Sequence, residues 1–291
     1  VSVKKAAAWS VGWITLGLSF ALVLWGTQGS TAAGEYLAGY LVEWSLSIDN
    51  LFVFAVIFGY FAVPKGLQPR VLMYGVLGAL VFRGIFIAIG AAALGAAEWV
   101  IYIFGAFLLY TAINLIRDTD HDDDGDNGVV RFAREHLRTT DKWDGLRLWI
   151  RDEGGTRLMT PMFLVIVALG TTDLLFALDS IPAIYGLTQE PYLVFTANVF
   201  ALMGLRQLYF LLGDLLKRLV YLSQGLAFIL AFIGVKLVLH ALHENELPFI
   251  NGGEPVHVPE IPTLASLGVI IVTLLVTTVA SLYKTRVRDA R

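Results

Sequence analysis

Eight stretches of this chain are apolar over a length that crosses a bilayer, and this constrains the backbone more than any other feature. In hydrocarbon every N–H and C=O must be bonded within the spanning element, which leaves α-helices or a closed barrel. The runs are continuous rather than alternating, so they predict helices, over about 7–25, 35–62, 70–94, 98–116, 159–185, 192–212, 219–241 and 263–283. A mean hydropathy of +0.70 with only 15% charged residues agrees. The predicted fold is an all-α polytopic membrane protein with eight transmembrane helices.

Lys and Arg favour cytoplasmic loops and set the orientation. Lys4 and Lys5 precede the first span, and Lys65 and Arg70 separate the second from the third. Eight basic residues from Arg117 to Arg157 separate the fourth from the fifth, Lys217 and Arg218 follow the sixth, and Lys284, Arg286, Arg288 and Arg291 follow the last. The other connections, near 26–34, 95–97, 186–191 and 242–262, have neither residue. Both termini of the chain are therefore expected in the cytoplasm, with the protein integral to the cytoplasmic (inner) membrane. The chain opens on Val1 without a cleavage-site pattern, and an upstream segment is expected. No cysteine is present, which removes disulfides, thiolate ligands and cysteine nucleophiles.

Within the apolar helices, EWSLSIDN (Glu43 to Asn50) and TTDLLFALDSIP (Thr171 to Pro182) carry acids at bilayer depth. A carboxylate there is costly unless it faces the bundle interior and meets a cation, so Glu43, Asp49, Asp173 and Asp179 suggest an intramembrane cation site. Glu43 and Asn50 are seven residues apart, as are Asp173 and Ser180, and Asp49 and Asp179 each precede the second polar position. Seven residues return a helix to nearly the same face. Spans two to four and five to seven thus read as two three-helix repeats, and odd parity makes them inverted, with a site near the midplane. Pro182 is expected to kink or open the helix beside Asp179.

The segments this implies are 1–30, a peripheral first helix; 31–117, the first repeat; 118–158, an acidic then amphipathic cytoplasmic loop; 159–242, the second repeat; 243–262, an extracytoplasmic loop; and 263–291, the last helix with a basic tail. Arg83, Arg206 and Lys236 fall inside spans, as structural or gating charges that hold the acids ionised and oriented. The competing reading makes all these acids and bases structural pairs. Every candidate donor is oxygen, which suits Mn²⁺, Ca²⁺ or Mg²⁺ rather than Zn²⁺ or Cu⁺.

VEWSLSIDNLFVFAVIFGYF (Val42 to Phe61), YGVLGALVFR (Tyr74 to Arg83), YIFGAFLLYTA (Tyr102 to Ala112), TTDLLFALDSIPAIYGLT (Thr171 to Thr188) and NVFALMGLRQLYFLL (Asn198 to Leu212) resemble the signature segments of the TerC family. That resemblance, over nearly the whole chain, implies a cation exporter built from inverted repeats, of the tellurium-resistance-associated and manganese-exporting type. By it Glu43, Asp49, Asn50, Asp173, Asp179 and Ser180 occupy the positions expected to bind or pass Mn²⁺. The chain departs at Gly170, where many relatives carry an acid. The implied function is Mn²⁺ export with proton antiport as a driving force and no prosthetic group. The alternatives are a calcium transporter, or an accessory membrane protein for metal delivery or tellurite stress that binds a protein partner through 118–158.

Asp120, Asp122 and Asp124 match part of a calcium-loop pattern, but Arg131 stands at its twelfth position, so the loop reads as solvated acid or a weak metal collector. Trp143, Leu146, Leu148, Trp149 and Ile150 predict an amphipathic surface helix. His240, His243 and His257 read as scattered outer-end histidines. No catalytic motif, phosphate loop or nucleic-acid patch argues for an enzyme or a nucleic-acid partner.

Overall fold

A computed structural model of the chain describes residues 3–117, 128–216 and 218–289. Among the described residues eight helices are long and apolar enough to cross a membrane. The elements are α1 (Val3–Gln28), α2 (Ser30–Tyr60), α3 (Gln68–Ala96), α4 (Val100–Arg117), α5 (Gly128–His136), β1 (Trp149–Arg151), β2 (Arg157–Met159), α6 (Pro161–Tyr185), α7 (Pro191–Met203), α8 (Leu205–Leu216), α9 (Leu222–His243) and α10 (Thr263–Asp289). Proline opens or nearly opens α3, α6 and α7, where a missing N–H costs nothing. Only Gly29 separates α1 from α2, and its φ of 96° is a turn that a side chain would oppose.

Helix α2 packs on α6 and α7, α3 packs on the same two helices, and α4 lies along α9. The α4–α9 crossing rests on two glycines: a Cβ at Gly105 would stand 3.2 Å from the Gly234 carbonyl oxygen, and one at Gly234 would stand 3.2 Å from that of Gly105. Small residues of this kind let helix backbones approach where lipid supplies no hydrophobic drive. Helices α1 and α10 lie outside this core, α1 against α2, α7 and α8, and α10 against α2 and α9.

The sixth span runs over Pro191–Leu211 as expected, with a turn at Gly204 between α7 and α8, where a Cβ would stand 3.2 Å from the Cβ of Trp13 on α1. Two expectations are corrected. Helix α6 does not open beside Asp179: it runs as one helix from Pro161 through Pro182 to Tyr185, although Pro182 leaves the Leu178 carbonyl without its helical donor. The surface helix expected around 143–150 does not form. Instead Trp149–Arg151 pairs antiparallel with Arg157–Met159. Gly155, at φ 77°, closes the turn by donating to the Asp152 carbonyl (2.8 Å), and β-favouring Trp149 and Ile150 fall on the strand. Trp143, Leu146 and Leu148 pack with Val130 and Ala133 of α5 against the ends of α2, α3 and α6. Asp120, Asp122 and Asp124 lie outside the described residues.

Candidate functional site, a buried guanidinium between two membrane carboxylates

Glu43, Arg83 and Asp173 each lie within two residues of the midpoint of their helix, α2, α3 and α6 respectively. Packing of those three helices brings them together. Arg83 Nη1 donates to Glu43 Oε2 at 2.7 Å and Nη2 donates to Asp173 Oδ1 at 3.2 Å. The side chains are 1%, 0% and 6% exposed, so the cluster is closed to solvent. A guanidinium fits this task because its planar fork presents two donors in fixed directions, one to each acid. Register along α3 is held one turn beyond Arg83, where Tyr185 Oη of α6 donates to the Ile87 carbonyl at 2.7 Å. Gly90 makes that contact sterically open, since a Cβ there would stand 2.9 Å from the Tyr185 ring.

The cluster is incompletely bonded. Among the described residues Glu43 Oε1, Asp173 Oδ2 and Arg83 Nε are buried without a hydrogen-bond partner, and so are Ser47 Oγ, Ser180 Oγ and Asn198 Nδ2. Ser180 neighbours the Glu43 carboxyl at a geometry short of a good hydrogen bond. Ser45 and Thr171 instead return their hydroxyls to their own helices, to Leu41 and Val167 carbonyls at 2.7 Å each.

Of the residues singled out from sequence, Glu43, Asp173, Ser180 and Arg83 thus share one buried region. Asp49 and Asn50 continue α2 and Asp179 continues α6, with their side chains outside what is described. Asp49 lies six residues after Glu43, and Asp179 six after Asp173. Arg206 opens α8 half-buried and takes no part in the bonded cluster. Lys236 stands elsewhere, facing Glu35 and Glu260 near the other end of α9. Asn198 of α7, 1% exposed, is a further polar interior group outside the expected site residues. An amide in an apolar run was the available signal.

The end of the bundle bearing the Lys- and Arg-free connections holds a cavity of about 520 Å³, lined by Glu35, Thr188, Gln189, Lys236, His240, Glu244 and Glu260. Thr188 Oγ1 donates to Glu35 at 2.6 Å, and His240 Nδ1 lies 3.0 Å from Glu260 Oε1. The hydrogen bond from His240, with the positive charge of nearby His243 and Lys236, holds the Glu260 carboxyl below the ordinary glutamate range. His240, expected as a scattered outer-end histidine, therefore belongs to a polar vestibule. Among the described residues no group of three His, Cys, Asp or Glu is placed to hold a metal ion. A second, largely apolar cavity of about 380 Å³ lies between α3 and α6, lined by Gly75, Gly78, Phe82, Val167, Gly170 and Asp173 among others. A Cβ at Gly170 would meet nothing within 4 Å.

A family profile described as "Integral membrane protein TerC family" matches residues 28–289. The chain is 48% identical over 292 residues to an uncharacterized membrane protein of Mycobacterium tuberculosis (strain ATCC 25618 / H37Rv), covering 99% of this chain and 73% of that protein. It is 44% identical over 248 residues to "Putative membrane-bound redox modulator Alx" of Escherichia coli (strain K12), covering 82% of this chain and 77% of that one. The protein of the same description from Salmonella typhi is 40% identical over 300 residues, covering 100% of this chain and 88% of the relative. No solved structure matches.

Proposed function

Because this chain belongs to the TerC family of integral membrane proteins, we propose that it is a secondary transporter exporting Mn²⁺ from the cytoplasm through the midplane carboxylates. The observation that carries this reading is the meeting of Glu43 and Asp173, from helices of the two expected repeats, around one buried cation. Intramembrane acids gathered in a bundle interior mark ion pathways by default. The oxygen-only donor set, with Asp49, Asn50, Asp179 and Ser180 completing it, suits Mn²⁺ first and Ca²⁺ next. Two inverted repeats rocking about the site belong to this reading, in keeping with the packing of α2 and α3 on α6 and α7, and the distribution of Lys and Arg is the support for cytoplasmic termini. Protons are the proposed counter-ion.

A role in redox balance, as the description of the Alx relatives suggests, enters here through metal supply. The chain has no cysteine and so no thiol of its own to exchange. The test is Mn²⁺ flux in proteoliposomes containing only this chain, with and without a proton gradient and competing Ca²⁺. Saturable flux in the wild type, lost in Glu43→Gln and Asp179→Asn variants that remain folded, is expected. Absence of flux from folded wild-type protein overturns autonomous transport and favours the accessory role.

A further inference from the structure

Three features of the Glu43–Arg83–Asp173 cluster ask for more than a structural brace. First, one guanidinium serves two carboxylates contributed by two different helices, so a single side chain holds α2, α3 and α6 together at mid-depth. Second, each carboxylate gives Arg83 only one oxygen; the second oxygen of each, and Arg83 Nε itself, are buried without a partner among the described residues. Buried polar groups in a permanent clamp are ordinarily saturated, since an unmet donor or acceptor at this depth is expensive. Third, the unpartnered Ser180 hydroxyl stands beside the same carboxyl of Glu43. The idle atoms on the two acids and the serine are all oxygens, the donor type a hard divalent cation takes.

We propose that Arg83 is a tethered stand-in for the transported cation: its guanidinium occupies the two acids when no ion is bound and withdraws when a divalent ion takes them. This rests on the reading of Glu43 and Asp173 as part of the transport site. Two acids and one guanidinium carry a net charge of −1; with a divalent ion the acids themselves are neutralised, and the displaced guanidinium, which keeps its charge, brings the three side chains and the ion to +1. Neither state therefore leaves the pair of carboxylates without a cation at the midplane. The bundle can change its exposure in both states, while an empty, doubly charged site is avoided. The wild-type protein accordingly binds its ion against an internal competitor. Its apparent dissociation constant is the intrinsic one divided by the fraction of molecules in which the guanidinium has let go.

The measurement is Mn²⁺ binding by wild type, Arg83→Gln and Arg83→Lys in detergent or nanodiscs. Free Mn²⁺ is read from its electron paramagnetic resonance signal at neutral and alkaline pH, and unfolding is followed with and without Mn²⁺. Removing the competitor is expected to tighten Mn²⁺ binding by about tenfold or more, as when one molecule in ten or fewer was competent before. Mn²⁺ is expected to protect Arg83→Gln from unfolding more than it protects the wild type, because the ion then supplies the missing charge. Lysine keeps a charge but lacks the fork that spans both acids, so Arg83→Lys should fall between the two.

Weaker or unchanged binding in folded Arg83→Gln overturns the proposal, because a purely orienting arginine gives that result. If the Gln variant does not fold, binding by Arg83→Lys no tighter than wild type overturns it equally. Should wild type carry Mn²⁺ in vesicles while neither variant binds it more tightly, the transport reading stands and this inference alone falls. Absence of binding by all three forms removes both.

Discussion

Replacing Arg83 with methionine tests the electrostatics of the cluster directly. The substitution keeps an unbranched stem and removes the charge. Glu43 and Asp173, 0% and 6% exposed at the side chain, are then left facing each other without a cation. Removing one partner from a buried ion pair costs about 3–5 kcal/mol, and here one loss strands two acids, which places the expected value toward the upper end. Neutralising the whole cluster in Glu43→Gln/Arg83→Met/Asp173→Asn removes the charges together with the need to pair them. That triple variant is expected within about 1–2 kcal/mol of wild type, or above it, since buried ionic clusters often give way to neutral groups without loss. The assay is reversible unfolding in mixed micelles of rising SDS content, without divalent metal, with vesicle flux measured in parallel. Stability should fall in the single variant and return in the triple one, while flux is lost in the triple. A single variant within about 1 kcal/mol of wild type, or a triple as unstable as the single, refutes the reasoning.

Other perturbations address the surroundings of the cluster. In Gly234→Ala the new Cβ would lie 3.0 Å from Leu109 Cγ and 3.2 Å from the Gly105 carbonyl oxygen. Helices α4 and α9 must then separate, and a loss of about 1–3 kcal/mol in the same unfolding assay is expected. Gly170→Asp places a carboxylate in the cavity beside Asp173 without a clash. Mn²⁺ binding, measured by the loss of free-ion resonance, should tighten on the order of tenfold with the added ligand charge. Glu260 is held below the ordinary range by His240, so their interaction is in place above the unfolded carboxyl pKa of about 4.3 and is lost as pH falls through the lower folded value. Pepsin cleavage of residues 244–262 should therefore rise below that range in the wild type and start from a higher level in His240→Ala.

Membrane helices are legible because each one satisfies its own backbone and must be apolar along its length, conditions that a single segment meets alone. Eight spans, the unusual depth of Glu43 and Asp173, and the suspicion that Arg83 answers them all follow from residues in order along the chain. Local chemistry misled where a neighbour intervened. Gly204 reads as one more small residue within a span, and only the fold sets Trp13 of another helix against it. Trp143 to Ile150 satisfies a helical pattern, yet the glycine turn that follows draws its end into a hairpin.

The three intramembrane bases show the same division. In sequence Arg83, Arg206 and Lys236 are equivalent, each a cation in an apolar run awaiting an acid. The tertiary structure sets Arg83 between Glu43 and Asp173 and places Lys236 in the lining of another cavity together with Glu35 and Glu260. Sequence by itself determined that this is a bundle of membrane helices with costly charges at mid-depth, because burial in hydrocarbon acts on each residue separately. Which charge meets which was decided by the fold alone, because an ion pair is a relation between helices and depends on the azimuth and height at which they cross.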